Sequence, residues 1–451
     1  MKSTTLAAGI FVLCTLGALS ASANPASQYE IVEALDIAKV PSDFPVGFSL
    51  LSAPPHQFAA YYDSERRMTI ASRLLNAADW QYQILPSTVG WDSHNYITMA
   101  VDNAGHLHVS GNMHVSKLVY FRTQTPGDIT TLRQLPMTGQ EETRVTYPKF
   151  LTSNEGVLIF NYRSGSSGNG ARIYNKYDLE SETWTRLLDK PLLDGEGVRN
   201  AYPKGPVHGP DGRFHMIWVW RDTPDCATNN NLSYARSDDL IHWESIAGEH
   251  APLPLTLGNA SLIVDPIPSG GGIINGCEKL TFDESYRPLI SYHKADKNGH
   301  MQIYVARFET DQWVHHKITD WNRPVHFGGN GSMGFIGIKI STHTRPMPDL
   351  LTLTYRHQDY GSGRVVVAAT TLRPVQKEID VTPEFPREME RRRIDGDGIG
   401  IKRAYDSGAT SAPGIRYMLQ WETLGPAHDR RRDPPLPEPS TLTLYKLRQI
   451  D

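Results

Sequence analysis

Four of the chain's 17 histidines lie within one stretch, "WDSHNYITMAVDNAGHLHVSGNMH", which runs from Trp91 to His114. Histidine exchanges a proton near neutral pH, so two histidines at one site suit acid–base chemistry. His106 and His108 fall inside an alternating run, two residues apart, and should share one face of a strand. We therefore predict that these two are sheet residues, whereas His94 and His114, at the ends of the run, belong to a functional site.

Ionisable and phenolic residues recur at corresponding positions further along the chain. Tyr147 and Arg163 flank the next pair of extended runs, and Tyr202 flanks the one after. The planar fork of arginine suits a carboxylate, and histidine or tyrosine can transfer a proton. The predicted catalytic constellation is therefore His94, His114, Tyr147, Arg163 and Tyr202.

Three further cations have two interpretations each. Arg221 follows the sequence "WVW" and either binds a sulfate or carboxylate group of the substrate or stacks on a neighbouring aromatic ring. Lys149 and Lys204 each follow a Tyr-Pro pair. They either face an anionic chain or simply end a strand, and the strand-end role is the one expected.

These residues are placed by a repeat of β-hairpins. Segments from Ser93, Val145 and Asn200 each contain an extended run, a tight turn with glycine and a second alternating run. Two more strand-like runs follow each hairpin, and the intervals from His94 to Tyr147 and from Tyr147 to Tyr202 are 53 and 55 residues. Four strands per unit at this period indicate propeller blades, whereas a β-sandwich does not explain the period.

The sequence therefore predicts an all-β, seven-bladed β-propeller with four antiparallel strands per blade. The run "YEIVEALDIA" supplies the outer strand of the last blade, so that the N- and C-terminal strands close the ring. The start of the first strand and the end of the second lie on one face of such a disc. The predicted site residues all occupy those positions.

Residues 1–23 carry an early lysine, an apolar centre and a small-residue end at Ala23, which is typical of a cleaved secretory signal peptide. Residues 24–451 then form a single catalytic domain, secreted or periplasmic. The formal net charge of −4 gives no general basic field for nucleic acid or membrane, and we expect a monomer.

Removal of the signal peptide also removes Cys14 and leaves Cys226 and Cys277. One interpretation is a disulfide in an oxidising compartment. The other is a structural zinc site, because Cys226, Cys277 and His293 map to the same face on adjacent blades and offer the sulfur and nitrogen ligands that zinc accepts. The sequence identifies no fourth ligand and implies no cofactor for the chemistry.

Segments containing "YRSGSSGNG" and "WVWRDTPD" resemble the BNR-repeat propeller polysaccharide lyases that cleave ulvan, a sulfated polysaccharide of green algae. The nearest resemblance is to polysaccharide lyase family 25, which is related to family 24. That family has a seven-bladed propeller and a site of two histidines, two tyrosines and one arginine. The resemblance places these roles on His94, His114, Tyr147, Arg163 and Tyr202.

The resemblance implies β-elimination at a uronic acid, which leaves a 4,5-unsaturated uronate. Arg163, assisted by His114, would neutralise the carboxylate, and Tyr202 would orient the sugar. The base is either His94 or Tyr147, and Tyr147 is also the expected acid. Two alternatives stay open, a sialidase-like glycoside hydrolase and a non-catalytic glycan-binding propeller.

Overall fold

A computed structural model of the protein describes residues 27–347, 350–376, 382–408 and 412–450. The predicted signal peptide and Cys14 lie outside these ranges. Within them, no helix is long and apolar enough to cross a membrane. Helix is limited here to four short 3₁₀ segments, at Ile129–Thr131, Cys226–Thr228, Ala260–Leu262 and Arg387–Glu390. The predicted all-β class is confirmed.

The described strands form seven antiparallel sheets, numbered here in chain order. Strand β1 (Tyr29–Val40) belongs to the last of them. Sheet 1 contains β2 (Ser49–Ala53), β3 (His56–Tyr62), β4 (Arg67–Leu74) and β5 (Gln81–Thr88). Sheet 2 contains β6 (Ile97–Val101), β7 (Leu107–Gly111), β9 (Tyr120–Thr123) and β10 (Leu132–Gln134).

The next two sheets are larger. Sheet 3 contains β8 (His114–Ser116), β11 (Val145–Thr152), β12 (Leu158–Ser166), β13 (Asn169–Asp178), β14 (Thr183–Arg186) and β15 (Leu193–Asp194). Sheet 4 contains β16 (Asn200–His208), β17 (Phe214–Arg221), β18 (Asn229–Ser237), β19 (Trp243–Glu244), β20 (His250–Ala251) and β21 (Ile263–Asp265).

The remaining sheets complete the described chain. Sheet 5 contains β22 (Lys279–Phe282), β23 (Pro288–Ala295), β24 (Met301–Glu309) and β25 (Gln312–Lys317). Sheet 6 contains β26 (Ile338–Met347), β27 (Leu350–His357) and β28 (Gly361–Ala368). Sheet 7 contains β29 (Ile399–Tyr405), β30 (Ile415–Leu424), β31 (Ser440–Gln449) and β1.

Each predicted hairpin forms an antiparallel pair of strands, β6–β7 in sheet 2, β11–β12 in sheet 3 and β16–β17 in sheet 4. The β6–β7 turn shows why the sequence folds this way. Gly105 takes a positive φ of 86°, and the backbone amide of Asp102 donates to the carbonyl oxygen of His106 at 3.0 Å. The alternating apolar residues of each run then pack on one side of the sheet.

Hydrophobic clusters join the sheets in chain order. Sheets 7, 1 and 2 share one cluster, which includes Trp421, Leu50 and Val109. Further clusters join sheet 2 to sheet 3, sheet 3 to sheet 4, sheet 4 to sheet 5 and sheet 5 to sheet 6. Each sheet is thus fixed by packing on its neighbours, which holds the strand ends in a defined relative position.

The two ends of the described chain meet in sheet 7. Strand β1 pairs antiparallel with β31, with Tyr29 opposite Gln449 and Val40 opposite Ser440. The run assigned from sequence to an outer strand therefore has its expected partner.

Candidate active site

The register of sheets 2 and 3 brings the predicted histidines together. His94 lies in the loop before β6, and His114 begins β8, where it pairs with Thr146 of β11. The imidazole rings of His94 and His114 stack with centroids 4.3 Å apart. The phenol ring of Tyr147 lies 5.8 Å from the ring of His94, edge towards face.

Asp92 joins the two histidines. Its Oδ1 lies 2.7 Å from Nδ1 of His94, and its Oδ2 is bonded to Nδ1 of His114. A carboxylate on Nδ1 fixes the orientation of an imidazole and leaves Nε2 available for a reacting group. Both Nε2 atoms lack a hydrogen-bond partner within the described part of the chain, so both are available for substrate.

A second carboxylate reaches His94 from the other end of the chain. Asp429, in the loop between β30 and β31, places Oδ2 3.3 Å from Nδ1 of His94. Burial alone would lower the pKa of His94, but the hydrogen bonds to Asp429 and Asp92 raise it to about 9. His94 is therefore an imidazolium at neutral pH.

Asp429 also organises the surrounding loops. It accepts hydrogen bonds from the hydroxyl of Ser93 at 3.2 Å and from the backbone amide of Ser332 at 2.9 Å. The loop of sheet 7 is thereby tied to the loops before β6 and before β26. Burial alone would raise the pKa of the Asp429 carboxyl, but the hydrogen bonds to His94 and Ser332 hold this pKa below its usual range.

Tyr147 occupies an irregular point of β11. The register with β12 shifts between Thr146 and Lys149, and Tyr147 itself has a φ of +58°, in the left-handed region. Such a conformation costs a bulky residue about 1–3 kcal/mol and is typical of functional positions. The bulge turns Tyr147 towards the histidines. Burial and the neighbouring Tyr202 raise the pKa of Tyr147 to about 12, with Arg163 opposing, so the phenol keeps its proton at neutral pH.

Arg163 lies beneath Tyr147. Its guanidinium carbon is 4.9 Å from the centre of the Tyr147 ring, and Nη2 donates to Oγ1 of Thr146 at 3.0 Å. Only 2% of Arg163 is exposed, and its Nε and Nη1 are buried without a hydrogen-bond partner. The structure thus places Arg163 next to the site with unused hydrogen-bonding capacity, but behind a tyrosine.

Tyr202 and Arg221 continue the site into sheet 4. The Tyr202 ring lies 6.2 Å from that of Tyr147, and the Arg221 guanidinium lies 5.5 Å from the Tyr202 ring. Arg221 Nε donates to the carbonyl oxygen of Thr223 at 3.1 Å, and Nη2 donates to that of Pro224. Arg221 therefore stacks on a tyrosine rather than on its neighbouring tryptophans, and it also holds its own loop.

Three of these side chains, His94, Tyr147 and Arg221, line a cavity of about 380 Å³, here called the main cavity. Residues between 331 and 341, which lead into and begin β26, line it as well. The predicted metal ligands also line it: Cys226, Cys277 and His293. A site of this size admits a sugar unit next to the proton-transfer groups.

Both described cysteines are free thiols, so the structure does not support the disulfide interpretation. Burial raises the pKa of Cys277 to about 12, and burial lowers that of His293 to about 4. The Nδ1 of His293 bonds to the carbonyl oxygen of Gly272 at 2.8 Å. Cys226, Cys277 and His293 are of the right types for zinc, but they are not a group of close donor atoms among the described residues.

A different set of possible metal ligands does lie close together. Donor atoms of Asp92, His94, His114 and Asp429 all lie within 4.8 Å of one another. The hydrogen bonds between these carboxylates and imidazoles already account for the closeness. A divalent ion would have to replace the protons on the two Nδ1 atoms.

Sequence reasoning missed both carboxylates. Asp92 had a local signal, because it stands two residues before His94 and its Oδ1 accepts the backbone amide of that residue at 2.9 Å. An aspartate at that spacing commonly forms such a turn. Asp429 had no local signal, since it is 335 positions from His94 in sequence and meets it only through the folding of sheet 7.

Of the other histidines of the opening stretch, His108 lies in β7, as predicted, whereas His106 lies in the turn one residue before that strand. His108 is fully buried in β7, with Nε2 3.0 Å from Asp102 Oδ2 and Nδ1 2.8 Å from the Tyr120 hydroxyl. His106 is buried too, and its Nδ1 bonds to the carbonyl oxygen of Thr123 at 2.8 Å. Their polar atoms are used within the fold.

Comparison with known protein families shows the family to which this chain belongs. Residues 56–321, more than half of the chain, match the model of a BNR repeat-containing family. The chain belongs to this BNR repeat-containing family. The match begins at β3 and ends after sheet 5, so it includes the strands that carry His114, Tyr147, Arg163 and Tyr202.

Ulvan lyases are among the proteins to which this chain is similar. The short isoform of ulvan lyase from Alteromonas sp. (strain LOR) is 31% identical over 149 residues, which is 30% of this chain and 28% of the relative. The aligned segment thus spans well under a third of that relative's length.

Two solved structures share the fold. The polysaccharide lyase Uly1 has a TM-score of 0.58 at 16% identity and covers 93% of this chain and 100% of its own. A family 25 ulvan lyase bound to -[GlcA(1-4)Rha3S]- has a TM-score of 0.57 at 13% identity and covers 90% of this chain and 94% of its own. At these identities the likeness concerns the fold.

Proposed function

We propose that this protein is a secreted polysaccharide lyase that cleaves ulvan by β-elimination at the uronic acid. The observation that carries the proposal is the pair of stacked histidines on Asp92, with both Nε2 atoms available beside Tyr147. The ulvan lyase relative and the family 25 lyase bound to a glucuronate-containing oligosaccharide support the choice of substrate.

The first requirement of the reaction is to make the C5 proton acidic. The uronate carboxylate must be neutralised, so that negative charge can develop on it as the proton leaves. His94 is suited to this because its two carboxylates keep it cationic at neutral pH. A cationic His94 cannot also accept the C5 proton, so the base is another residue.

We assign the base to His114 and the acid to Tyr147. Asp92 accepts the Nδ1 proton of His114, so Nε2 presents a lone pair that can accept the C5 proton. The C5–H electrons form the C4=C5 double bond as the C4–O4 bond breaks. Tyr147, a protonated phenol at neutral pH, gives its proton to O4, which leaves as the hydroxyl of the departing chain.

The remaining residues support these steps. Arg163 opposes the rise in the pKa of Tyr147 and offers its unpartnered Nε and Nη1 for the carboxylate as Tyr147 moves with the substrate. Tyr202, which packs against Tyr147, orients the sugar. Arg221 lines the main cavity and adds positive charge for an anionic chain.

We further propose that the seven sheets are the blades of a closed propeller. Packing in chain order from sheet 7 to sheet 6 supports this arrangement. The contact of Asp429 with Ser332 supports the closing junction, because it links the loop of sheet 7 to the loop before sheet 6. Pairing of β1 with β31 completes the last blade.

We keep zinc as a hypothesis for Cys226, Cys277 and His293, as a structural ion that takes no part in the reaction. The free thiols and the neutral imidazole support it. Binding would require the three donor atoms to draw together. The secretory signal assigned to residues 1–23 supports an extracytoplasmic location.

The test is incubation of the purified protein with ulvan, followed by ultraviolet absorbance. Only elimination creates a conjugated unsaturated uronate, so absorbance should rise with time. A hydrolase would release reducing ends without that absorbance, and a glycan-binding protein would do neither. Binding without cleavage would reject the lyase assignment.

A further inference from the structure

We propose that a second cavity beside the candidate active site binds a tetrahedral oxyanion of the sulfate class. This cavity, here called the cationic cavity, has a volume of about 280 Å³. It shares Tyr147, Asn275 and Gly276 with the main cavity, so Tyr147 separates the two spaces. A polymer bound at the main cavity could therefore place a neighbouring substituent in the cationic cavity.

Three cations line the cationic cavity: Lys149 from β11, Arg172 from β13 and Lys204 from β16. No carboxylate is among its lining residues in the described chain. Burial of Lys149 lowers the pKa of its ammonium group most, and the charges of Arg172 and then Lys204 lower it further. Sheets 3 and 4 thus bring three positive charges together without a carboxylate in the lining. This arrangement is unfavourable unless an anion binds in the cavity.

These three cations also have unused hydrogen-bond donors. The ammonium groups of Lys149 and Lys204 have no hydrogen-bond or ion-pair partner within the described residues. The Nε of Arg172, a residue only 7% exposed, is buried without a partner. The sequence favoured a strand-end role for Lys149 and Lys204, but both lie inside their strands, β11 and β16.

The buried Glu278 stands outside the lining of the cationic cavity. Its Oε2 is engaged by the backbone amide of Gly276 at 2.8 Å. An occupant of the cationic cavity would supply the missing negative charge.

The arrangement favours a tetrahedral anion over a planar one. A sulfate ester presents three terminal oxygens in different directions, whereas a carboxylate presents two in one plane. Three cations on three different strands match the first geometry. The source is either a sulfate ester of the polysaccharide or free inorganic sulfate. Assignment of the occupant as a sulfate ester rests on the proposed function, whereas the presence of an oxyanion site does not.

The first experiment tests the site without using activity. Melting temperature is measured in sodium sulfate and in sodium chloride at equal ionic strength, for wild type, Lys149→Gln/Lys204→Gln and Lys176→Gln. Lys176 is an exposed lysine of β13 at a different cavity, so its substitution removes one charge, as Lys204→Gln does, without touching the cationic cavity. Sulfate stabilises proteins generally, and the control removes that effect. We expect the extra stabilisation by sulfate to disappear only in the double variant.

The single variant Lys204→Gln covers the case in which the double variant fails to fold, because Lys204 is exposed. It should lose part of the sulfate effect.

The second experiment distinguishes the two sources. KM is measured on ulvan and on chemically desulfated ulvan for the same proteins. A charge-assisted contact is commonly worth about tenfold in affinity, so the ratio of the two KM values should change about tenfold in the double variant.

If the double variant loses the stabilisation by sulfate but keeps the wild-type ratio of KM values, the occupant is free sulfate. If neither the sulfate effect nor the ratio depends on these lysines, the proposal is wrong. Absence of elimination by wild type would reject the lyase assignment alone, because the melting experiment still tests the cavity.

Discussion

Two histidine–aspartate pairs lie within one hairpin region and behave in opposite ways. His94 and His114 share Asp92, with a fifth to a quarter of each imidazole exposed, and both keep Nε2 available. His108 is bound to Asp102 with neither side chain more than 2% exposed, and both of its ring nitrogens are used. Burial lowers the pKa of His108 despite Asp102, whereas two carboxylates overcome burial at His94.

The difference teaches that an aspartate partner alone does not make a histidine functional. What matters is the balance between burial and carboxylates, and whether one nitrogen stays available. At His94 a second carboxylate, Asp429, decides that balance.

The largest expected effect comes from removing the available nitrogens. His114→Ala and His94→Ala should each lower elimination of ulvan by about a hundred- to ten-thousand-fold, the usual contribution of positioned proton-transfer groups. Melting temperature should change little for His114→Ala, because that side chain is partly exposed, whereas His94→Ala should also lower it below about pH 9, where the protonated ring stabilises the fold. Turnover and thermal unfolding are measured on the same preparations.

His108→Ala is the matched control. It removes a buried ring that contacts Tyr177 and Trp184, which should cost about 2–5 kcal/mol of unfolding free energy. Turnover per folded molecule should stay near that of wild type. An inactive but fully folded His108→Ala protein would remove the contrast between the two pairs.

Arg163→Lys should have the next largest effect. Lysine keeps the charge but loses the planar fork that covers the Tyr147 ring and bonds Thr146. We expect a loss of about ten- to a hundredfold in kcat/KM while the fold survives. Circular dichroism checks the fold, and near wild-type turnover would reject the role of Arg163.

Asp429→Asn sharpens the comparison, because it makes His94 depend on one carboxylate. In wild type the raised pKa means that elimination should fall as pH rises through about 9. The same sign holds for stability: the contribution of protonated His94 is complete below its usual pKa of 6.5 and is lost through about 9. Asp429→Asn should move the alkaline limb of the kcat/KM profile to lower pH. An unmoved limb would mean that another group titrates there.

The smallest effect on turnover is expected for Cys277→Ser. If zinc binds, purified protein should hold about one zinc per chain, and the variant should lose metal and melt at a lower temperature. Turnover should change less than in the histidine variants, since Cys277 is not among the proton-transfer groups. Metal analysis without zinc in the wild type would end the hypothesis.

The fold was largely predictable, because its signals are local. Alternating runs and glycine turns mark each hairpin, and the spacing of Tyr147 and Tyr202 shows the repeat. The convergence of His94 and Tyr147 on one cavity, with His114 stacked on His94, followed from that repeat.

The electrostatics of the site were not predictable in the same way. Asp429 reaches His94 across the junction of distant sheets, and the bulge that turns Tyr147 leaves Arg163 behind its ring rather than in the cavity. Sequence reasoning left the base open between His94 and Tyr147, and the surroundings of both favour His114 instead. Such outcomes depend on burial and on long-range contacts that no local pattern records.

The pairing of β1 with β31 has a consequence for synthesis of the protein. The ribosome makes β1 early, yet its partner emerges hundreds of residues later, as the bond from Thr443 to Asp36 across 407 positions shows. Until then β1 has an unpaired edge, and non-local pairing of this kind is slow. Asp429 emerges in the same late interval, just before β31. The nascent chain therefore carries His94 without its second carboxylate, and the charge on His94 is set only after the loop before β31 has been made.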